Sequence, residues 1–303
     1  MADVNRTLKL GMHTYTLHLN GMGESWGNEK GHTYEKAIDL FKAMDLAVEW
    51  GLDGLHITLI DVEDTSPAHL EKIREAAAAH GLYLELNVFL NHPSDPRANA
   101  GIEDALRIGK AIGAELVKFS IDIERPRPLY GSCMCPEVMR QLENRRDRFK
   151  AALPLMEELG LKIAIENHTE TYSDEIIWLI QQIDHQDVGA CCDTINSLCV
   201  LEGWEACVEK MAPYSNCCHF CDNKIVIDAD GTHSIGVAIG EGDMDCPKVL
   251  KTFLENSDLD RITMEVEHSL GNDTIEEARR KELEVCKKSI RYMHDVLGVG
   301  ARR

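Results

Sequence analysis

Short apolar runs alternate with longer amphipathic stretches along the whole chain, and this rhythm constrains the fold more than any single residue does. The expected strands are Leu8 to Tyr15, Gly54 to Ile57, Tyr83 to Val88, Leu116 to Ser120, Lys162 to Glu166, Val188 to Asp193, Cys217 to Cys221 and Ile262 to Val266. Between and after them fall the expected helices: Tyr34 to Trp50, Ala68 to His80, Ile102 to Ile112, Glu137 to Leu159, Asp174 to Ile183, Glu202 to Met211, Pro247 to Asn256 and Ile275 to Val296. Gly51, Gly81, Gly113 and Gly160 close four of these helices, as glycine at a helix end should. Pro154 is expected to break or bend the fourth.

Strands that each feed a helix predict an α/β chain closed as a (β/α)8 TIM barrel, a fold that needs about 250 residues. The 303 residues suit one such domain over 1–303, with an extended first βα loop at about 17–33. An open doubly wound sheet would carry a glycine-rich phosphate turn directly after its first strand. Gly21-Met22-Gly23 lies well past that strand, inside the insertion, so a dinucleotide site is not expected.

Composition removes other classes. A formal charge of −20 repels nucleic-acid phosphates and anionic membranes, so neither is an expected partner. No apolar run approaches the roughly 18–20 residues of a membrane span, and the polar start lacks the plan of a secretion signal, so a cytoplasmic protein is expected. The eleven cysteines are an odd number and include the adjacent pairs Cys191-Cys192 and Cys217-Cys218. They read as reduced core thiols rather than as a disulfide framework.

Active sites of such barrels lie at the carboxyl ends of the strands. Four late strands end on potential ligands: Ile165-Glu166, Cys192-Asp193, Cys218-His219 and Met264-Glu265. One such carboxylate is readily a cap or half of an ion pair. Three converging carboxylates repel one another, and a divalent cation neutralises them. Glu166, Asp193, His219 and Glu265 are therefore the expected ligands of one ion. Mn2+ leads, Mg2+ and Co2+ also suit the donor set, and Zn2+ or Fe2+ are tolerated. A thiolate zinc site of Cys217, Cys218 and Cys221 around His219 is the competing arrangement, without the second cysteine pair it needs.

The strand ends Glu166-Asn167, Asp193-Thr194-Ile195-Asn196, His219-Phe220-Cys221-Asp222-Asn223 and Met264-Glu265, with Gly240-Glu241-Gly242-Asp243-Met244-Asp245, resemble the signature of the xylose-isomerase-like sugar phosphate isomerase/epimerase superfamily. The resemblance implies the same barrel and the same four ligands. It also implies that Glu166 and Glu265 exchange protons with a sugar while the metal stabilises an enediolate. The pattern departs at Asn196, where ketose epimerases often carry histidine, and at His56-Ile57, where they carry glutamate. The loop from His18 to His32, with Met12-His13-Thr14-Tyr15, also resembles the barrel subunits of bacterial C-glycoside deglycosidases. Those enzymes cleave a carbon–carbon bond in 3-oxo-C-glycosides and work with a small partner subunit. The expected partner is thus a small carbohydrate or glycoside, and the expected assembly a homo-oligomer, or a hetero-oligomer in the deglycosidase case. Apurinic-site endonucleases share the barrel but need further histidines and a basic face.

Lesser candidates surround this set. His168 is expected as an acid/base group because its imidazole titrates near neutrality. His13, Tyr15, His56, Asn87, Lys118, Asn196 and Asp222 are expected substrate contacts, with Ser120 beside Lys118 and Asp222 alternatively orienting His219. Trp26 in the long loop is expected to stack on a sugar or aryl ring, whereas Trp50, Trp178 and Trp204 read as packing residues.

Overall fold

Each barrel strand is short and five of the eight are buried from end to end, which is what a parallel barrel sheathed by helices requires of its sequence. The strands are β1 (Lys9–His13), β2 (Gly54–Thr58), β3 (Tyr83–Phe89), β4 (Leu116–Ser120), β5 (Lys162–Glu166), β6 (Val188–Asp193) and β7 (Ser215–Phe220), then the hairpin strands β8 (Asn223–Asp228) and β9 (Gly231–Gly236), and finally β10 (Arg261–Met264). The structure, a computed structural model, describes residues 6–25, 34–125, 132–229 and 231–300. β1 to β7 pair in sequence order and β10 closes the ring between β7 and β1, every pair parallel. This is the single-domain (β/α)8 TIM barrel that the alternation predicts.

The helices α1 (Leu40–Glu49), α2 (Pro67–His80), α3 (Ile102–Ile112), α4 (Pro136–Leu159), α5 (Ser173–Ile183), α6 (Trp204–Met211), α7 (Cys246–Asn256) and α8 (Ile275–Asp295) follow their strands. The start of α1 differs from expectation. Asp39 accepts a hydrogen bond from the Lys42 amide at 2.8 Å and caps the helix there, so residues 34–39 stay outside it. α4 runs through Pro154 without a break. β1 is shorter than expected, because the chain turns at Thr14 into a 3-10 segment, Thr14–Asn20. Tyr15 therefore does not share the strand with His13. The antiparallel hairpin of β8 and β9 was not expected at all; Ile227, at 79% exposed, belongs to no core that a burial pattern could reveal.

Register brings the functional ends to one rim. Asp193 lies opposite His219 across β6 and β7, and Thr263 lies opposite His219 across β7 and β10. The Glu265 amide then donates to the Phe220 carbonyl at 3.1 Å, setting that glutamate one residue beyond its strand.

Candidate metal centre

Glu166, Asp193, His219 and Glu265 are all buried, and one ligand atom of each lies within 4.8 Å of the others. Nδ1 of His219 stands 3.0 Å from Glu166 Oε1 and 2.9 Å from Glu265 Oε2. Neither contact has hydrogen-bond geometry, since both nitrogens of this ring lack a hydrogen-bond partner among the described residues. Donor atoms about 3 Å apart and not aimed at each other have the spacing of adjacent ligands around an octahedral ion at roughly 2.1 Å. The donor set therefore fits a divalent cation.

Each carboxylate is held in place. Glu166 Oε2 accepts from Lys118 Nζ and, at 2.9 Å, from Ser120 Oγ. Asp193 Oδ1 accepts from the Ile195 and Asn196 amides at 2.8 and 2.7 Å. Asn167 grips the backbone of the same aspartate, accepting from its amide at 2.7 Å and donating to its carbonyl at 2.9 Å. Glu265 Oε1 accepts from His13 Nδ1 at 2.9 Å, the outer-shell contact that metal ligands commonly have.

Charge couples these groups. Burial, with Glu265 and Glu166 nearby, pushes Asp193 up to about 6. Burial would also raise Glu166, but Lys118 and His219 hold it well below the usual carboxylate range. Against its own burial, His219 is held well above the ordinary imidazole value by Glu265 and Glu166.

A cavity of about 210 Å3 opens over the centre, below the roughly 300–1,000 Å3 of drug-sized pockets and of a size for one sugar ring. His13, Tyr15, Asn87, Lys118, His168 and Asn196 line it together with the four ligands. Oδ1 of Asn87 is buried without a partner among the described residues, an acceptor suited to a hydroxyl. His168 Nδ1 pairs with Glu170 Oε2 at 2.9 Å, and against burial Glu170 pushes the ring up to about 9.

Two expected contacts sit elsewhere. His56 is fully buried beneath the cavity and bonded to Glu85, because its strand position points into the barrel interior rather than at the rim. Asp222 accepts from the amides of Gly240, Gly242 and Met244 at 2.8, 2.9 and 3.2 Å, so it anchors the turn after the hairpin instead of meeting substrate or His219. The thiolate zinc arrangement does not form: Cys218 packs in the main apolar core, while Cys217 joins Leu116, Ala164 and Cys191 in another cluster. Alternation along the strand sends the neighbouring thiols to opposite faces. Trp26 lies outside the described residues.

Sequence reasoning missed Glu24, Phe89, Thr169 and Glu267 in the cavity wall. Glu24 carried a signal in the glycine-flanked loop. Gly23 donates to both oxygens of Asp61 at 2.9 and 3.1 Å, and Ser25 donates to Asp95 at 3.1 Å, clamping the chain on either side of that glutamate.

The chain matches the family described as xylose isomerase-like TIM barrel over residues 44–289. It belongs to that family. Among curated proteins it resembles the uncharacterized protein YihM of Escherichia coli K12, 24% identical over 238 residues; the match covers 78% of this chain and 66% of that one. D-psicose 3-epimerase from Clostridium cellulolyticum H10, solved with D-tagatose, superposes with a TM-score of 0.66 at 15% identity, covering 96% of this chain and 99% of that one. A xylose isomerase-like TIM barrel protein from Mycobacterium smegmatis, solved with magnesium, gives 0.60 at 17% identity over 96% and 100%.

Proposed function

We propose that this chain is a divalent-metal-dependent carbohydrate isomerase or epimerase that moves a proton at a carbon next to a carbonyl. The observation that supports it most is the convergence of Glu166, Asp193, His219 and Glu265 below a cavity of one-sugar size. A bound divalent cation, Mn2+ as first choice, supplies Lewis-acid polarisation of a carbonyl oxygen. The chain's own groups do the rest. Lys118 and Ser120 keep Glu166 ionised on one side of the centre, and His13 orients Glu265 on the other. Glu170 fixes Nδ1 of His168, so proton exchange by this residue falls to Nε2. Asn87 and Asn196 in the wall receive hydroxyls.

A second reading, cleavage of the carbon–carbon bond of a 3-oxo-C-glycoside, draws support from one feature. A further cavity of about 410 Å3 borders His168 and Thr169, residues that also line the first, and offers space for an aglycone. That reading adds a small partner subunit; the first takes a homo-oligomer. A cytoplasmic location accords with all eleven cysteines being free thiols. No described helix is long and apolar enough to cross a membrane.

Solvent-deuterium exchange tests both readings. Mn2+-loaded protein is expected to place deuterium on a ketohexose or a 3-oxo-glycoside, and Glu166→Gln to lower the rate by 100-fold or more, ~10^2–10^4 being the usual worth of one acid/base group. No exchange into either substrate class, with bound metal verified, would refute the assignment.

A further inference from the structure

The interior of a (β/α)8 barrel is ordinarily filled with branched apolar side chains. Beneath the metal centre this barrel instead buries His56 of β2, Glu85 of β3 and Arg261 of β10, at 0%, 1% and 9% exposure. His56 Nδ1 donates to Glu85 Oε2 at 2.9 Å, and Thr263 Oγ1 donates to the same oxygen at 3.3 Å. Arg261 bonds Glu115 at 2.6 Å and Asp260 at 2.9 and 3.0 Å, and its Nη1 approaches the other oxygen of Glu85 at 3.8 Å without a hydrogen bond. A buried chain of this kind is weak in stabilising a fold, because desolvation of its charges offsets most of their attraction. Its worth lies in what it holds still.

What it holds is the His56 ring. That ring stands edge-on to His219, centroids 4.8 Å apart at 86°, and edge-on to His13 at 5.0 Å and 89°. His13 in turn stacks on His219 at 4.9 Å and 22°. The three rings form one block in which His219 presents Nδ1 to the ligand carboxylates and His13 presents Nδ1 to Glu265. Nε2 of His219 has no hydrogen-bond partner among the described residues, so the rotation of this ligand about its side-chain bonds is set by ring packing. Ligating histidines are more often fixed by a bond from the second nitrogen.

We propose that His56, locked by Glu85, is a positioning residue of the metal centre: its ring, packed perpendicular to His219 and His13, fixes the His219 ring and, through His13, the orientation of Glu265. The inference rests on the metal reading of the site, and one experiment separates the two. Mn2+ is titrated by calorimetry into the metal-free full chain, as wild type, His56→Phe and Glu85→Gln, and the Mn2+ electron paramagnetic resonance spectrum of each complex is recorded. His56→Phe keeps a ring but loses the lock; Glu85→Gln fills the same space but weakens the charge-assisted bond that holds His56 Nδ1. Positioning predicts that the Kd for Mn2+ rises about 10-fold in each variant, the usual effect of disturbing a ligand's support, and that the zero-field splitting changes while the fold by circular dichroism does not. Should His56→Phe fail to fold, Glu85→Gln decides. A Kd within twofold of wild type with an unchanged spectrum overturns the positioning role and leaves the metal reading intact. Wild type that takes up no Mn2+ overturns both.

Discussion

Glu166 and His219 show how one cluster of side chains can be arranged for a cation yet settle for a proton. Without metal, His219 holds its proton above the ordinary imidazole range, because Glu265 and Glu166 outweigh its burial. Asp193 begins to take a proton at about 6, raised by burial and by those same two carboxylates. A ligand must shed its proton before it can bind metal, so protons compete with the ion. Affinity for Mn2+ is therefore expected to climb as pH rises through about 6 and on above it, by roughly tenfold per unit for each proton displaced. His219→Gln should flatten the upper part of that rise. Calorimetric titrations across the range check it, and an affinity indifferent to pH would contradict the coupling. The four clustered side chains are legible in the sequence because each ends an apolar run, a signal carried entirely by neighbours in sequence. The surroundings of Asp222 are illegible for the converse reason: its three partners lie 18 to 22 residues away, across a hairpin that local pattern does not disclose.

Among the elements, the turn after β9 shows how a motif can be structural while looking functional. Gly240-Glu241-Gly242-Asp243-Met244-Asp245 curls its amides around the Asp222 carboxylate, and a side chain at Gly242 has no room. A Cβ there would lie 2.0 Å from Asp222 Oδ1 and 2.6 Å from the Asn223 carbonyl oxygen. Gly242→Ala is accordingly expected to lower unfolding free energy by about 2 kcal/mol, in the range of substitutions that break a buried network. Denaturant unfolding measures this, and a change under roughly 0.5 kcal/mol, as at an ordinary surface position, would contradict it. The eight barrel strands and the helices other than the start of α1 are readable to within a few residues because period and glycine stops coincide, whereas the β8–β9 hairpin is not. Three local features escaped: the Asp39 cap, the turn at Thr14, and the continuity of α4 through Pro154. Each depends on a particular hydrogen bond or backbone angle rather than on a repeating pattern.

At the scale of the molecule, barrel closure unites residues that are far apart in sequence. β10 pairs with β1 and β7, so Glu265 meets His13 from the start of the chain, and Arg261 reaches Glu85 across the interior. The alternation of strand and helix made that closure predictable, and with it the rim on which the ligands meet. It does not show that the layer below the rim is polar: His56 and Thr58 in β2, and Glu85 and Asn87 in β3, alternate and so share a face, but local pattern does not say which polar groups meet across the barrel. On the function proposed above, the rim holds one divalent ion on Glu166, Asp193, His219 and Glu265. Elemental analysis of the full chain, dialysed against Mn2+ beside the double variant Asp193→Asn/His219→Gln, tests it most directly. One equivalent of Mn2+ in the wild type and a small fraction of that in the folded variant is the predicted result; no metal in the wild type, or equal metal in both, would contradict it.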